Sequence, residues 1–294
     1  MSKQQIKQLI ENKIFEDGMV GTGVEGVKLF RVTDSIRCAP AVYEPTVIAI
    51  LNGAKEAILD GQRYVYDSNQ YMCCSMSMPV EAGTPTASPE NPLIGVYISL
   101  DTKVMTELTI EMETAPGAIR KPNSGPLPQG FALAQWDDSF SEALLRLLQL
   151  TDTPEDTSVL GNGRLRELYY AVLKGDAGDS ARRAFGVGNE IARSIEYLST
   201  RLDEAVTIEE MASKAGMSRA VYHRKFKQAT TLSPIQFVKS MKLNSAAMKI
   251  AGGMNVNVAA MEVGYTSSSQ FSREFKRLYG ESPKQWSHLK QLAS

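Results

Sequence analysis

Two stretches in the C-terminal third carry basic and small hydroxyl residues at helical spacing, and these side chains have the clearest chemical potential in the chain. In the first, Arg219, His223, Arg224 and Lys227 lie across a helix from Tyr222 and Phe226. In the second, Ser268, Ser269, Ser272, Arg273 and Lys276 lie across from Phe271 and Phe275. Residues four apart share a helix face, so each aromatic pair marks a buried side and each polar set an exposed one. Arginine can bond guanine bidentately, hydroxyls reach base edges, and lysine pairs with phosphate. A lone helix with such a row reads as a solvated face. Duplication, charge and turn geometry together favour a nucleic-acid surface here.

Other chemistries find little support. The only histidines are His223 and His288, both outside the N-terminal half, so residue count excludes a histidine-ligated metal centre there. No Ser/His/Asp set, phosphate loop or dinucleotide fingerprint occurs, so neither a cofactor nor an enzymatic activity is expected. Three cysteines, Cys38, Cys73 and Cys74, are too few for a disulfide framework and fit a reducing compartment. Adjacent strand residues face opposite sides, so Cys73 and Cys74 read first as small buried hydrophobes, with redox sensing open to whichever thiol faces a cavity. Tyr64, Tyr66, Tyr71, Cys73 and Tyr97 are the candidate lining of a ligand pocket, although alternating aromatics in strands more often serve packing.

The two polar rows must be positioned by helices, and the sequence around them repeats. Ile208, Met211-Ala212, Ala215-Gly216, Ser218, Tyr222, Phe226-Lys227, Ser233-Pro234 and Phe237 return as Val256, Ala259-Ala260, Val263-Gly264, Thr266, Phe271, Phe275-Lys276, Ser282-Pro283 and Trp286. The offset is 48 through the glycines and 49 from Tyr222 onward, which places one extra residue in the second turn. Thr207 with Glu210 forms a capping-box pattern, Gly216 closes that helix, and Ser218 caps the next, running to about Ala229. In the second copy Gly264 makes the turn and Thr266 or Ser267 caps a helix to about Leu278. Two helices joined by a short glycine turn define the helix-turn-helix, whose second helix enters the DNA major groove. A long helix over residues 234–251, with Phe237, Met241, Leu243 and Met248 available for packing, would hold the two units at a fixed distance.

Charge follows the same division. The whole chain has 32 Lys and Arg against 33 Asp and Glu, a formal net charge of -1. From Met211 onward there are 13 Lys and Arg against only Glu262, Glu274 and Glu281, a net of +10 on an otherwise acidic chain. A basic third of this kind points to a polyanion. With 43% hydrophobic and 22% charged residues, disordered and collagen-like chains are excluded. Apolar runs are far too short to span a bilayer, so no membrane partner is expected. The polar N-terminus, with Lys3 and Lys7, lacks the apolar core of a signal peptide and predicts a cytoplasmic protein.

The N-terminal half has a different texture. A short amphipathic helix is expected over residues 1–17. Strand-like runs then begin at Val27, Thr46, Lys55, Gln62, Gln70 and Leu93, broken by turn residues that include Asp60-Gly61, a hairpin signal, and a Pro/Gly-rich stretch over residues 79–92. Such spacing predicts an antiparallel barrel or jelly roll. Helices follow over residues 102–113, 139–150, from 158 or 164 to 174, and 181–202, with a proline-rich loop over 115–130. The second and third of these helices are candidates for pairing two subunits, or alternatively for packing on the barrel.

The motifs Ala215-Gly216-Met217-Ser218, Phe226-Lys227 with Ser233-Pro234, Val263-Gly264-Tyr265, residues 270–276 and Gly280-Glu281-Ser282-Pro283 resemble the C-terminal DNA-binding domain of the AraC/XylS family of bacterial transcription regulators. The resemblance covers about residues 190–290. It implies base-reading positions at Ala220, His223 and Arg224 in the first unit and at Ser268, Ser269, Ser272 and Arg273 in the second. Lys242 stands where many members carry arginine, and Thr231 where many carry glycine. Residues 22–31, Tyr43-Glu44-Pro45, Asn52-Gly53-Ala54-Lys55, Tyr64-Val65-Tyr66-Asp67 and Gln70-Tyr71 are similar to the AraC-type N-terminal cupin-like domain of one subgroup. The expectation is therefore an α+β protein in three parts: a cupin-like β-barrel (jelly roll) effector-sensing domain over 1–130, a helical linker and dimerisation region over 131–189, and a double helix-turn-helix over 190–294. The implied function is sequence-specific regulation of transcription, as an activator. Expected partners are promoter or operator DNA, a small-molecule effector of unknown identity, RNA polymerase and a second copy of the chain. The alternatives are an architectural DNA-binding protein without an effector and a barrel enzyme fused to a DNA-binding domain.

Overall fold

Among the described residues, the stretch from 18 to 135 folds as ten strands in two sheets, antiparallel throughout the six-stranded one. The computed structural model describes residues 2–115, 130–186 and 189–291. The loop expected over 115–130 falls outside the described residues except at its two ends. Helix α1 (Ser2–Glu11) leads into β1 (Gly18–Gly21), β2 (Val27–Val32), β3 (Ile36–Tyr43), β4 (Thr46–Asn52), β5 (Ala54–Leu59), β6 (Gln62–Asp67), β7 (Gln70–Cys74), β8 (Met78–Thr84) and β9 (Leu93–Ser99). After α2 (Thr102–Thr114) comes β10 (Phe131–Gln135). One sheet has the order β1-β2-β9-β4-β7-β10 and the other β3-β8-β5-β6. This is a two-sheet, jelly-roll-like arrangement rather than a closed barrel.

Burial explains the strand order. Strands β4 and β9, with the most continuously apolar sequences, occupy the centre of the six-stranded sheet, where both faces are covered. Asp60 and Gly61 adopt positive φ values of 47° and 76°, as the two-residue turn between β5 and β6 requires. Helix α1 buries Ile6 and Ile10 but stops at Glu11, short of the expected residue 17, and Phe15 is 75% exposed. Four strands escape sequence reading: β1, whose residues are all exposed, β10, and β3 and β8, which carry Pro40 and Pro79.

The helices that follow are α3 (Asp138–Gln149), α4 (Pro154–Lys174) and α5 (Gly178–Phe185). Asp137 caps α3 by accepting from Phe140 N at 2.7 Å, and Arg146 of α3 pairs with Glu167 of α4 at 2.7 Å. Proline at the first turn starts α4 earlier than the expected 158 or 164. The helix expected over 181–202 is two, α5 and α6 (Glu190–Ser199), with Gly186 ending the first.

Close contacts divide the chain into two units, one of Met1–Cys38, Glu44–Met76 and Ala82–Asn189, the other of Ala39–Tyr43, Ser77–Glu81 and Glu190–Ser294. In the second, α6 is followed by α7 (Ile208–Lys214), α8 (Arg219–Thr230), α9 (Pro234–Ala251), α10 (Val256–Glu262), α11 (Ser268–Tyr279) and α12 (Pro283–Gln291). Helix α9 buries Phe237, Met241 and Leu243, whereas Met248, expected to pack, is 46% exposed.

Candidate nucleic-acid interface

The turns and second helices of the two helix-turn-helix units are built from the same local hydrogen bonds, whereas the first helices start differently, α7 on a capping box and α10 on Asn255, which accepts from Asn257 N. The Thr207 hydroxyl accepts from Glu210 N at 3.1 Å while the Glu210 carboxylate accepts from Thr207 N at 2.8 Å, the reciprocal box that starts α7. Gly216 N donates to Ser213 O and Met217 N to Ala212 O, each at 2.9 Å. The same pair recurs 48 residues on, with Gly264 N donating to Met261 O at 2.9 Å and Tyr265 N to Ala260 O at 3.0 Å. Gly264 has φ +76°, and an added Cβ would lie 2.7 Å from Asp203 O, so both conformation and space require glycine. The next helices are capped alike: Ser218 Oγ accepts from Val221 N at 3.4 Å and Ser267 Oγ from Gln270 N at 3.3 Å.

The aromatic faces repeat as well. Tyr222 and Phe226 have ring centroids 5.4 Å apart, as do Phe271 and Phe275, and all four residues are fully buried. With those faces inward, the polar rows turn outward. Arg219, Ala220, Arg224 and Lys227 are exposed on α8, and His223 is half-buried with its Nε2 buried and without a hydrogen-bond partner. On α11, Ser268, Ser269, Arg273 and Lys276 are exposed and Ser272 is half-buried. Arg219 pairs with Glu209 of α7 at 2.6 Å. Arg224, Lys227, Arg273 and Lys276 have no ion-pair partner among the described residues. Meanwhile two of the three acids after Met211 are neutralised, Glu262 by Lys249 and Glu274 by Lys239. The unit thus presents unpaired cations on two outward helix faces, the arrangement phosphate binding requires.

The five residues expected to line a ligand pocket do not share a face. Register places Tyr71 and Cys73 with Val47 and Ala49 on one side of the six-stranded sheet, where Tyr71 stacks on Phe140 of α3 at 4.2 Å. Tyr97 lies on the opposite side, with Met72, Cys74 and Phe131. Tyr64 and Tyr66 share one face of the four-stranded sheet, and Tyr64 meets Phe131 at 4.9 Å, so that face and the Tyr97 face look toward each other. Lys55, paired with Tyr66 across β5 and β6, joins this inward set, and sequence reading passed it over. Desolvation lowers its ammonium pKa, partly offset by the Cys38 thiol, and no acid among the described residues pairs with it. Glu56, one residue on, faces the other way and binds Arg63 and the Cys38 thiol. Burial pushes the Cys73 thiol up to about 12 and Cys74 also upward, so neither is poised as a reactive thiolate. Among the described residues no group of His, Cys, Asp and Glu could hold a metal ion, and no helix is long and apolar enough to cross a membrane.

A two-sheet unit with flanking helices, combined with a duplicated helix-turn-helix, defines a DNA-binding protein with an appended β domain. Residues 23–180, more than half of the chain, match the family model of the AraC-type transcriptional regulator N-terminus, and residues 211–288 match a helix-turn-helix domain. The chain belongs to the AraC-type transcriptional regulators. That family comprises regulators rather than enzymes. An uncharacterized HTH-type transcriptional regulator of Haemophilus influenzae is 40% identical over 80 residues, covering 27% of each chain. The HTH-type transcriptional activator RhaS of Escherichia fergusonii is 25% identical over 173 residues, 55% of this chain and 58% of that one. These matches span less than two thirds of either relative. Unsaturated fatty acid-bound ToxT of Vibrio cholerae shares the fold, with a TM-score of 0.56 at 10% identity over 93% of this chain and 97% of that one.

Proposed function

We infer that the chain is a sequence-specific transcription regulator whose helices α8 and α11 enter successive major grooves, and whose β unit senses a small molecule. The observation that carries this reading is the bond-for-bond repetition of the two turns, each aiming unpaired cations outward from a buried aromatic pair. Arg224 and Arg273 are the base readers, with Ala220, His223, Ser268, Ser269 and Ser272 beside them. Arg219, Lys227 and Lys276 hold phosphates. Two recognition helices on successive grooves require half-sites about 34 Å apart.

Residues 1–130 are assigned to sensing, 131–189 to a helical linker that pairs two subunits, and 190–294 to DNA reading. Val159, Leu160 and Tyr170 of α4 are 78%, 44% and 42% exposed, which favours α4 as a self-association face. Action at promoters, with RNA polymerase as partner and activation as the outcome, rests on family membership, and a chromosomal target places the protein in the cytoplasm. The effector is an acidic small molecule. Lys55 lacks a counterion on the inward face it shares with Tyr64 and Tyr66, and ToxT, of the same fold, binds a fatty acid. An effector of this kind acts by binding one conformational population more tightly than the other.

Fluorescence anisotropy of the full chain on duplexes enriched from a random pool tests the reading. A specific duplex should be bound at least 10³-fold more tightly than random sequence at fixed salt. Equal binding to both would leave an architectural protein.

A further inference from the structure

The two recognition helices are fastened to the rest of their unit in different ways. On α8 the hydroxyl of Tyr222 lies 2.8 Å from Ser194 Oγ on α6, a neutral bond inside the core. Helix α11 also has a neutral bond, from the Tyr279 hydroxyl to Asn244 Oδ1 of α9 at 2.6 Å at its C-terminal end, and adds a charged fastening outside the core. The Glu274 carboxylate accepts from Lys239 Nζ of α9 at 2.9 Å, from the Tyr265 hydroxyl in the turn at 2.8 Å, and from Gln270 Nε2 at 3.5 Å. Burial opposes its ionisation, yet the Lys239 and Tyr265 hydrogen bonds outweigh this and hold its carboxyl below the ordinary glutamate value. In the first unit the equivalent positions are Lys225 and Met217, which form no such set.

Helix geometry says what the charged bond controls. With about 100° per residue, Phe271 and Phe275 define one direction around α11, Gln270 and Glu274 a second roughly 100° away, and Ser269, Ser272, Arg273 and Lys276 a third on the far side. The buried rings of Phe271 and Phe275, with the Tyr279–Asn244 bond one turn further on, seat one side of the helix and its C-terminal end against rotation about its own axis. A bond placed a quarter-turn from those anchors resists that rotation directly. It is also tied to α9, the element that joins the two units. Lys239, Tyr265, Gln270 and Glu274 together line an open groove of about 430 Å³, shared with Ile235, Val238, Lys242 and the start of α7.

Building on the DNA-binding reading, we propose that Glu274 is a positioning residue: with Lys239 and Tyr265 it holds α11 in place against α9, the helix that joins the two copies, and thereby sets the spacing between the two half-sites. It touches no base. Its loss leaves each helix able to recognise its own half-site and relaxes the distance at which both are engaged together.

The test is enrichment of bound duplexes from a random-sequence pool by the full-length protein, comparing wild type, Glu274→Ala, Lys239→Met and the charge-exchanged double variant Lys239→Glu with Glu274→Lys. Wild type should enrich two half-sites at one spacing. Both single variants should enrich the same two half-site sequences at a spread of spacings, with the preference for the best spacing over its one-base-pair neighbour reduced about tenfold. The charge exchange should restore the single spacing. A single sharp spacing retained by Glu274→Ala overturns the proposal. So does disappearance of the second half-site from the enriched pool, because that makes the residue a requirement for folding the second unit. If wild type enriches no paired motif, the DNA-binding reading itself fails, a result distinct from either of these.

Discussion

The two helix-turn-helix units share a skeleton and differ in nearly everything they present. Turn hydrogen bonds, serine caps and aromatic separation coincide to within 0.1 Å between copies. Helix α8 carries four cations, Arg219, Arg224, Lys225 and Lys227, and no acid, whereas α11 opens on Ser268 and Ser269 and carries Arg273, Lys276 and Arg277 with Glu274. The endings also differ. Both helices close in the left-handed region, at Gly280 with φ 79° in the second unit but at Thr231 with φ 67° in the first. Residues that set geometry are thus held constant while residues that meet the partner vary. Two copies of one device can read two different sequences on this basis.

The largest test of that comparison concerns the skeleton. Phe226→Ala and Phe275→Ala should each cost about 3–5 kcal/mol, because both rings are fully buried. Chemical denaturation should find similar losses, and a markedly smaller loss in one copy would break the equivalence. The presented surfaces should separate next. Arg273→Ala should cost about 1–3 kcal/mol at one base position and relax specificity there. Lys276→Ala should weaken all sequences alike and reduce the salt slope by about one. If both variants behave the same way in binding titrations across several salt concentrations, the division of α11 into reading and anchoring residues is wrong.

Smaller effects sharpen the contrast at the helix ends. Thr231 holds a branched side chain at positive φ with a buried, unbonded hydroxyl, so Thr231→Gly should stabilise by about 1 kcal/mol. Gly280→Thr should destabilise by about the same amount, and thermal melts of the pair should move in opposite directions. The smallest effect is electrostatic. Since the folded Glu274 carboxyl lies below its ordinary value, its contribution is complete above the ordinary glutamate range and is lost as pH falls through the lowered folded value. Acid titrations of stability should show this component in wild type and lack it in Glu274→Gln.

Legibility in the sequence tracked how local each interaction is. The capping box at Thr207, the turns at Gly216 and Gly264 and the bounds of α9 are written within four residues, and they stand where spacing put them. Strands β4, β6 and β9 declared themselves by composition, whereas β3 and β8 carry prolines that read as breaks and become strands only through partners far along the chain. Pocket residues failed for a related reason. Tyr71 and Tyr97 are similar side chains in similar runs, and only the pairing of both strands with β4 shows that they face opposite ways. Lys55 and the Lys239–Glu274 bond carry no periodic signal, because their meaning depends on what lies opposite in space.

The most direct test of the account is methylation interference on an enriched duplex with the full chain, repeated with Arg224→Ala and Arg273→Ala. Two interference patches should lie about one helical turn apart on one face of the DNA, with Arg224→Ala weakening one patch and Arg273→Ala the other. A single patch, or both variants weakening the same one, would contradict the claim that each unit reads its own groove.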